Sequence, residues 1–162
     1  MDQISKKIKM ISEKLKELKN KFNLNEIDGY VVPKNDEYFS EFAKKDKLKT
    51  ITGFDGSFGI AIILKKKNFL FVDGRYVEQA KIQAGKKFKI LEIPKKLPYQ
   101  VLNSSLNLGF DPMIFTSRSL QYYFRGKIKL TPISKTMINS KTLDGYKSRK
   151  FYSLNTKVVG ET

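Results

Sequence analysis

Two short apolar runs separated by a cluster of lysines constrain the fold of this chain more than any other feature. Residues 59–64 (GIAIIL) and 69–72 (FLFV) are rich in β-branched and aromatic side chains, and Lys65-Lys66-Lys67-Asn68 lies between them. Runs of this length and composition predict β-strands, and so short a polar link predicts a hairpin. The apolar composition of both strands places the hairpin in the core.

The rest of the chain alternates between helix and strand patterns. Apolar residues at steps of three and four predict an amphipathic helix near the N-terminus, from Ile4, Ile8, Ile11, Leu15, Leu18 and Phe22. We favour packing of this helix on a sheet over coiled-coil pairing, because the run is short. Further strands are predicted at 30–32, 88–93, 106–110 and 127–133, and further helices at 36–42, 76–84, 101–102 and 116–126. This order predicts an α/β domain with a mixed sheet.

Composition excludes several classes of protein. The 162 residues suffice for one domain with a core, and 40% hydrophobic residues indicate a globular chain. Cysteine is absent, which excludes disulfides and thiolate metal sites, and histidine is absent, which excludes histidine-dependent triads and general bases. The apolar runs are too short to span a membrane, and lysines interrupt the N-terminus where a signal peptide would need an apolar core. We therefore expect a cytoplasmic protein with no membrane partner.

The net charge of +16 raises the alternative of a nucleic-acid-binding protein. The basic residues, however, are mostly lysines spread along the whole chain, and arginine occurs only at 75, 118, 125 and 149. Proteins that contact phosphates and base edges depend on the bidentate arginine fork. A solvated lysine surface is therefore favoured, with salt-sensitive polyanion binding as a side effect and no specific nucleic-acid partner.

Carboxylates are the remaining candidates for chemistry. Six of them lie near predicted strand ends: Asp28, Asp36, Glu37, Asp55, Asp73 and Asp111. Three or four gathered in space would hold magnesium, as in nucleases of ribonuclease H-like topology. Turn and cap positions explain nearly all of them more simply. We therefore expect neither a catalytic residue nor a metal ligand in this chain.

Arg75 is the candidate binding residue. Asp73 is a good N-cap for the segment that follows it, so Arg75 falls in a first helical turn, where the helix dipole disfavours a cation. Helix stability therefore does not explain Arg75. Two interpretations stay open: a salt bridge to Asp55 or Glu78, or a donor fork that projects from a strand-to-helix junction towards a ligand.

A glycine-rich loop precedes the hairpin. Residues 53–59 (GFDGSFG) contain Gly53, Gly56 and Gly59 and either form an anion-binding nest or make a tight turn that positions Phe54 and Phe58. The loop lacks the Lys-Ser/Thr ending of a phosphate loop and leads into a strand, so we favour the structural turn. Whether the two phenylalanines are core or exposed is open at this stage.

These motifs together resemble the N-terminal domain of Xaa-Pro aminopeptidases (aminopeptidase P), within the creatinase/prolidase N-terminal family. The resemblance runs from about Asn25 to the end of the chain and matches the three-domain form. It is carried by VVPKNDEYFSEF at 31–42, GFDGSFG at 53–59, FVDGRY at 71–76 and GFDP at 109–112. It implies a mixed sheet of about six strands flanked by helices, similar to the ribonuclease H-like topology.

Two departures from the family pattern are visible. Relatives often have Asp-Ala-His-Gln-Ser-Glu-Tyr where this chain has DEYFSEF at 36–42, so any role of that histidine is missing here. Relatives often have Trp-Thr before Asp-Gly-Arg-Tyr, where this chain has Phe71-Val72. Both departures leave Arg75 in place.

The resemblance also implies a function. In the family the arginine that matches Arg75 reaches towards the catalytic cleft and contacts the peptide substrate, whereas Asp73, Gly74 and Tyr76 hold the junction without touching the substrate. Hydrolysis of the bond before a proline needs two divalent metals, usually manganese, held by a C-terminal domain that is not in this chain.

We therefore expect residues 1–139 to form a non-catalytic N-terminal domain of a metal-dependent Xaa-Pro aminopeptidase. Residues 140–162 are expected to form a connector towards a missing second domain. The expected partners are a peptide with proline in second position and the remaining domains of the same chain, and the fragment alone is expected to be inactive. A homodimer, a stand-alone interaction or oligomerisation module and a basic nucleic-acid-binding domain stay open as alternatives.

Overall fold

The computed structural model describes residues 3–39, 46–103, 105–134 and 137–138 of the chain. The predicted connector over 140–162, the domain boundary at 139 and the Ile4 side chain lie outside the described residues. The helices are α1 (Gln3–Asn20), α2 (Lys47–Thr52), α3 (Val77–Ala84), α4 (Pro98–Val101) and α5 (Ser117–Phe124). The strands are β1 (Gly29–Pro33), β2 (Gly59–Leu64), β3 (Asn68–Asp73), β4 (Lys89–Ile93), β5 (Asn107–Phe110) and β6 (Lys129–Pro132).

The six strands form one mixed sheet in the order β4-β3-β2-β1-β5-β6, which confirms the predicted fold class. The β2–β3 hairpin is antiparallel, with Gly59 opposite Val72 and Ile63 opposite Asn68, as the sequence predicts. Strand β1 pairs antiparallel with β2 and parallel with β5. Five strands therefore run in one direction and β2 alone runs against them. Their carboxyl ends share one edge of the sheet with the start of β2.

Helices cover both faces of the sheet, which explains why its central strands are apolar throughout. In β2, Ala61 and Ile63 face a core that α1, α2 and α3 complete. Ile60 and Ile62 face the opposite core, which α4 and α5 complete. The period-two alternation of strand side chains thus divides one apolar run between two cores.

Helix α1 packs on the sheet, as predicted in preference to coiled-coil pairing. Its apolar face buries Ile11, Leu15 and Leu18 in the first core, and Phe22 follows at its end. Lysines fill the exposed face. In the described ranges, no helix has both the length and the apolar composition that crossing a membrane requires.

The helix predicted at 36–42 is wrong over its described part, and a helix that the sequence did not indicate lies further on. Asp36 Oδ1 accepts the Tyr38 amide at 3.0 Å, which closes a turn, and Phe39 follows with φ of 58°. The carboxylate thus satisfies an amide two residues on instead of starting a helix. Residues 40–42 lie outside the described part of the chain. The next helix along the chain is α2, and it begins after Asp46, whose Oδ1 accepts the Lys49 amide at 2.8 Å.

Candidate functional site

An open cleft lies at the edge of the sheet where β1, β3 and β4 end and β2 begins. Its volume is about 600 Å³. Asn35 lines it after β1, Phe58 before β2, Arg75 after β3 and Pro94 after β4, while Tyr122 of α5 closes one side. Ligands of open α/β sheets bind in the crevice outside the carboxyl ends of the strands. We call this depression the carboxyl-edge cleft and treat it as the candidate site.

Asp73 and Arg75 form a fixed pair at this cleft. Asp73 Oδ1 accepts both the backbone N–H and the Nε–H of Arg75, each at 2.9 Å, which confirms the predicted cap. The hydrogen bond from the Arg75 side chain, followed by the one from its backbone, lowers the pKa of Asp73 below its ordinary value. The Arg75 side chain is 74% exposed, with its guanidinium carbon 5.5 Å from the centre of the Tyr76 ring. The ionised carboxylate thus orients an arginine at the mouth of the cleft.

The salt-bridge partners considered from the sequence for Arg75 are wrong. Asp55 instead accepts a hydrogen bond from Gln83 at 2.8 Å, and this bond is the main cause that lowers the pKa of Asp55. Glu78 pairs with Lys81 on the surface of α3 at 2.6 Å. The carboxylate partner of Arg75 is Asp73, because the tight turn after β3 brings the side chains of these two residues together.

The glycine-rich loop packs against the turn that joins β3 to α3, as the interpretation of the loop as a structural turn requires. Phe54 is fully buried, and its ring meets Tyr76 edge-on with centroids 6.0 Å apart. A Cβ on Gly56 would lie 2.3 Å from Phe54 Cζ, so only glycine fits there. Ser57 Oγ and the Tyr76 hydroxyl are 2.7 Å apart. Phe54 is therefore core, whereas Phe58 is half-buried and lines the cleft.

The other predicted structural positions frame the junction. Gly53 ends α2 in the left-handed conformation, with φ of 79°. Gly59 begins β2, and Gly74 opens the turn of 3-10 helix that joins β3 to α3. Together they bring the loop, the hairpin and the turn that carries Arg75 to one place.

The carboxylates near the strand ends serve the fold. Asp28 Oδ2 accepts the Asn107 amide at 2.9 Å, and Asp111 Oδ2 pairs with Lys47 at 2.9 Å. Within the described part of the chain, no three carboxylates come together as metal ligands. Histidine is absent from the whole sequence. The residues that the structure describes therefore do not fit the two-metal centre, which the resemblance assigns to a C-terminal domain outside this chain.

The residues that line the cleft but were not predicted as site residues include Asn35, Pro94 and Tyr122. Pro94 directly follows a predicted strand and Asn35 lies three residues after another, so the rule that ligands bind at carboxyl ends pointed to this part of the sheet. The Asn35 amide group is already oriented, since its Nδ2 donates to the Ile114 carbonyl at 2.9 Å. Tyr122 left no such signal, because its place depends on how α5 packs over the sheet.

The fold and the cleft define a class: an α/β domain that presents an anchored arginine at the carboxyl edge of a mixed sheet. Comparison with protein families is consistent with this class and matches residues 14–139 to the creatinase/prolidase N-terminal domain. The chain belongs to this family.

Curated relatives are named as aminopeptidases. The probable Xaa-Pro aminopeptidase P of Laccaria bicolor is 31% identical over 139 residues, which cover 80% of this chain and 21% of the relative. That of Penicillium rubens is 39% identical over 115 residues, which cover 65% of this chain and 19% of the relative. The chain thus spans about a fifth of the length of these relatives.

Solved structures share the fold. The X-prolyl aminopeptidase of Caenorhabditis elegans, described as a cytosolic enzyme with a di-nuclear active site, superposes with a TM-score of 0.66 at 23% identity, covering 78% of this chain and 24% of that one. The N-terminal domain of a cytoplasmic peptidase from Mycobacterium tuberculosis gives 0.61 at 21% identity, covering 77% of this chain and 95% of that one. At these identities the likeness concerns the fold.

Proposed function

We propose that this chain is the non-catalytic N-terminal domain of a metal-dependent, cytoplasmic Xaa-Pro aminopeptidase, which removes the N-terminal residue before a proline. The names of the curated relatives support this activity. The share of those relatives that the chain covers, about a fifth, leaves room for a separate catalytic part. Two divalent metals, manganese in our proposal, belong to that part, since the residues described here do not fit them.

The observation that carries the proposal is the anchored Arg75. Its Nε–H is held by Asp73 at 2.9 Å, so the guanidinium loses less rotamer freedom when a substrate binds than an unanchored one would. Guanidinium groups suit the carbonyl and carboxylate oxygens of a peptide. In this proposal Arg75 binds and orients the peptide, while the bond is cut elsewhere in the protein.

The apolar walls of the cleft fit the same substrate. Phe58 is half-buried and Tyr122 is 45% exposed, so both offer ring surface beside Arg75. A proline ring is apolar and rigid, and it packs on aromatic faces at little cost in conformational entropy. The cleft therefore pairs a donor fork with a surface for a peptide that contains proline.

A comparison of two proteins tests this division of labour. The 162-residue chain and the longer protein that contains it are each incubated with manganese and an Xaa-Pro peptide, with the matching Xaa-Ala peptide as control. We expect the longer protein to release the first residue of the Xaa-Pro peptide, and the 162-residue chain to release nothing above background. Cleavage by the 162-residue chain, or no preference for proline in the longer protein, would contradict the proposal.

A further inference from the structure

A second depression of about 600 Å³ lies on the exposed face of α5. Arg118, Tyr122 and Arg125 line it at spacings of four and three, which place them on one side of the helix. We call it the α5 groove. Tyr122 also lines the carboxyl-edge cleft, so the groove and the cleft meet at this ring.

The distribution of arginine singles out these two depressions. Of the 32 basic residues, only those at 75, 118, 125 and 149 are arginine. All three arginines within the described ranges line either the cleft or the groove. Lysine serves as a point charge, whereas the planar arginine fork binds carboxylates through two parallel hydrogen bonds. Arginine thus occurs here where carboxylate recognition would need it.

The groove also carries uncompensated positive charge. Residues 94–134 include six basic residues and a single acidic one, Asp111, which pairs with Lys47 on another element. Among the described residues, no carboxylate makes an ion pair with Arg118 or Arg125. An anionic ligand would supply the missing counter-charge at both arginines.

One of the two arginines is held in place before any ligand binds. Arg125 ends α5 in the left-handed conformation, with φ of 47°. Its guanidinium carbon lies 4.8 Å from the centre of the Tyr99 ring, and Lys127 Nζ lies 5.5 Å from the same ring. Cation–π contacts of this kind fix the direction of the charge and lower the entropy cost of binding.

We propose that the α5 groove binds acidic side chains of the peptide substrate beyond its proline, so that the protein prefers peptides with Asp or Glu downstream of the cleaved bond. This inference rests on the proposed function, because Arg75 is taken to hold the peptide in the adjoining cleft. A peptide that continues past Arg75 towards Tyr122 would next meet Arg118 and Arg125. Tyr122 lines both depressions, which favours a substrate peptide that extends from one to the other over a nucleic acid as the occupant.

Matched peptides test the preference in the longer protein. Two Xaa-Pro peptides with amidated C-termini differ only in carrying Glu or Gln at the positions after proline. We expect kcat/KM to be on the order of fivefold higher for the Glu peptide, as two partly exposed ion pairs would supply. The ratio should shrink at high salt, because ions screen exposed charges. Equal values for the two peptides at low salt would overturn the inference.

Substitutions test whether Arg118 and Arg125 cause the preference for the Glu peptide. Arg118→Gln and Arg125→Gln should each lower the Glu-to-Gln ratio, and the double variant should bring it close to one. Arg125→Lys, which keeps the charge without the fork, should give an intermediate ratio. Lys66→Gln in the β2–β3 turn removes one exposed charge at a position that lines neither the groove nor the cleft, and it should leave the ratio unchanged. A ratio that survives the double variant would overturn the inference.

A binding measurement separates this inference from the proposed function. If the longer protein cleaves neither peptide, the proposed function fails, and fluorescence anisotropy with the same labelled peptides then decides the role of the groove. Tighter binding of the Glu peptide that is lost in the double variant supports the groove. Equal affinity for both peptides overturns it, as does tighter binding of a single-stranded oligonucleotide at physiological salt.

Discussion

Asp73 combines two tasks in one carboxylate. Its Oδ1 atom caps the turn after β3 and also holds the Nε–H of the residue it caps. The capping role follows from sequence, because Asp at a strand-to-helix junction is a common N-cap. The contact with the Arg75 side chain does not, since it depends on the tight turn of Gly74–Tyr76, which folds the arginine back over its own cap.

Gly56 is a position in the loop that has no room for a side chain. In Gly56→Ala the new Cβ would meet Phe54 Cζ at 2.3 Å and Tyr76 Cδ1 at 3.0 Å. The Phe54 ring is fully buried, so it has little room to move. We expect a loss of about 2 kcal/mol in the free energy of unfolding, as overpacked cores show. Urea denaturation of the 162-residue chain measures this change.

Gly126→Ala is the matched control for that substitution. Gly126 has φ of 64° but no heavy atom within 4 Å of an added Cβ, so its cost of about 1 kcal/mol comes from backbone strain alone. If Gly56→Ala were no more costly than this control, the close packing of the loop on Phe54 would not matter for stability.

The carboxylate that caps helix α2 also pairs with a lysine that is nearly buried. Lys34, directly after β1, has a side chain only 10% exposed, and its Nζ pairs with Asp46 Oδ2. The other oxygen of Asp46 caps α2 through the Lys49 amide. One carboxylate thus joins the end of a central strand to the start of the helix that covers it.

Removal of this carboxylate should be costly. Asp46→Ala deletes the cap and leaves the Lys34 ammonium without its partner, and we expect a loss of about 3 kcal/mol in the free energy of unfolding. Asp46→Asn keeps a capping oxygen and should lose less. Combined with Lys34→Met, Asp46→Ala should cost less than the two single changes added together, because the orphaned charge is gone. Strict additivity in this denaturation cycle would contradict the account.

Sequence patterns predicted the elements better than their arrangement. The hairpin, the apolar face of α1 and the helix predicted from residue 116 followed from local chemistry, since alternation, helical spacing and capping act within a few residues. Helix α2 was missed because its six residues are too few to show a period, although Asp46 and Gly53 mark its ends. The parallel pairing of β1 with β5 links residues about eighty positions apart, which no local pattern encodes.

At the scale of the whole molecule, the candidate chemistry lies in the carboxyl-edge cleft and the α5 groove. Five strands end at the edge that carries the cleft, and each of the three described arginines lines one of these two depressions, which share Tyr122. The sequence indicated Arg75 through its unfavourable place in a helical turn, and the family resemblance gave it a role. The α5 groove was not predicted, because the sequence does not show which face of α5 stays exposed or that Tyr99 lies beside Arg125.

The most direct test of this account is the effect of Arg75→Ala on peptide cleavage by the longer protein. Because the side chain is 74% exposed, the substitution should leave the fold intact. Loss of a charge-assisted hydrogen bond to the substrate should lower kcat/KM for an Xaa-Pro peptide by roughly tenfold or more. Arg75→Lys should recover part of the loss, and Lys66→Ala should change nothing. Unaltered kcat/KM in Arg75→Ala would contradict the central claim that this domain holds the peptide through its anchored arginine.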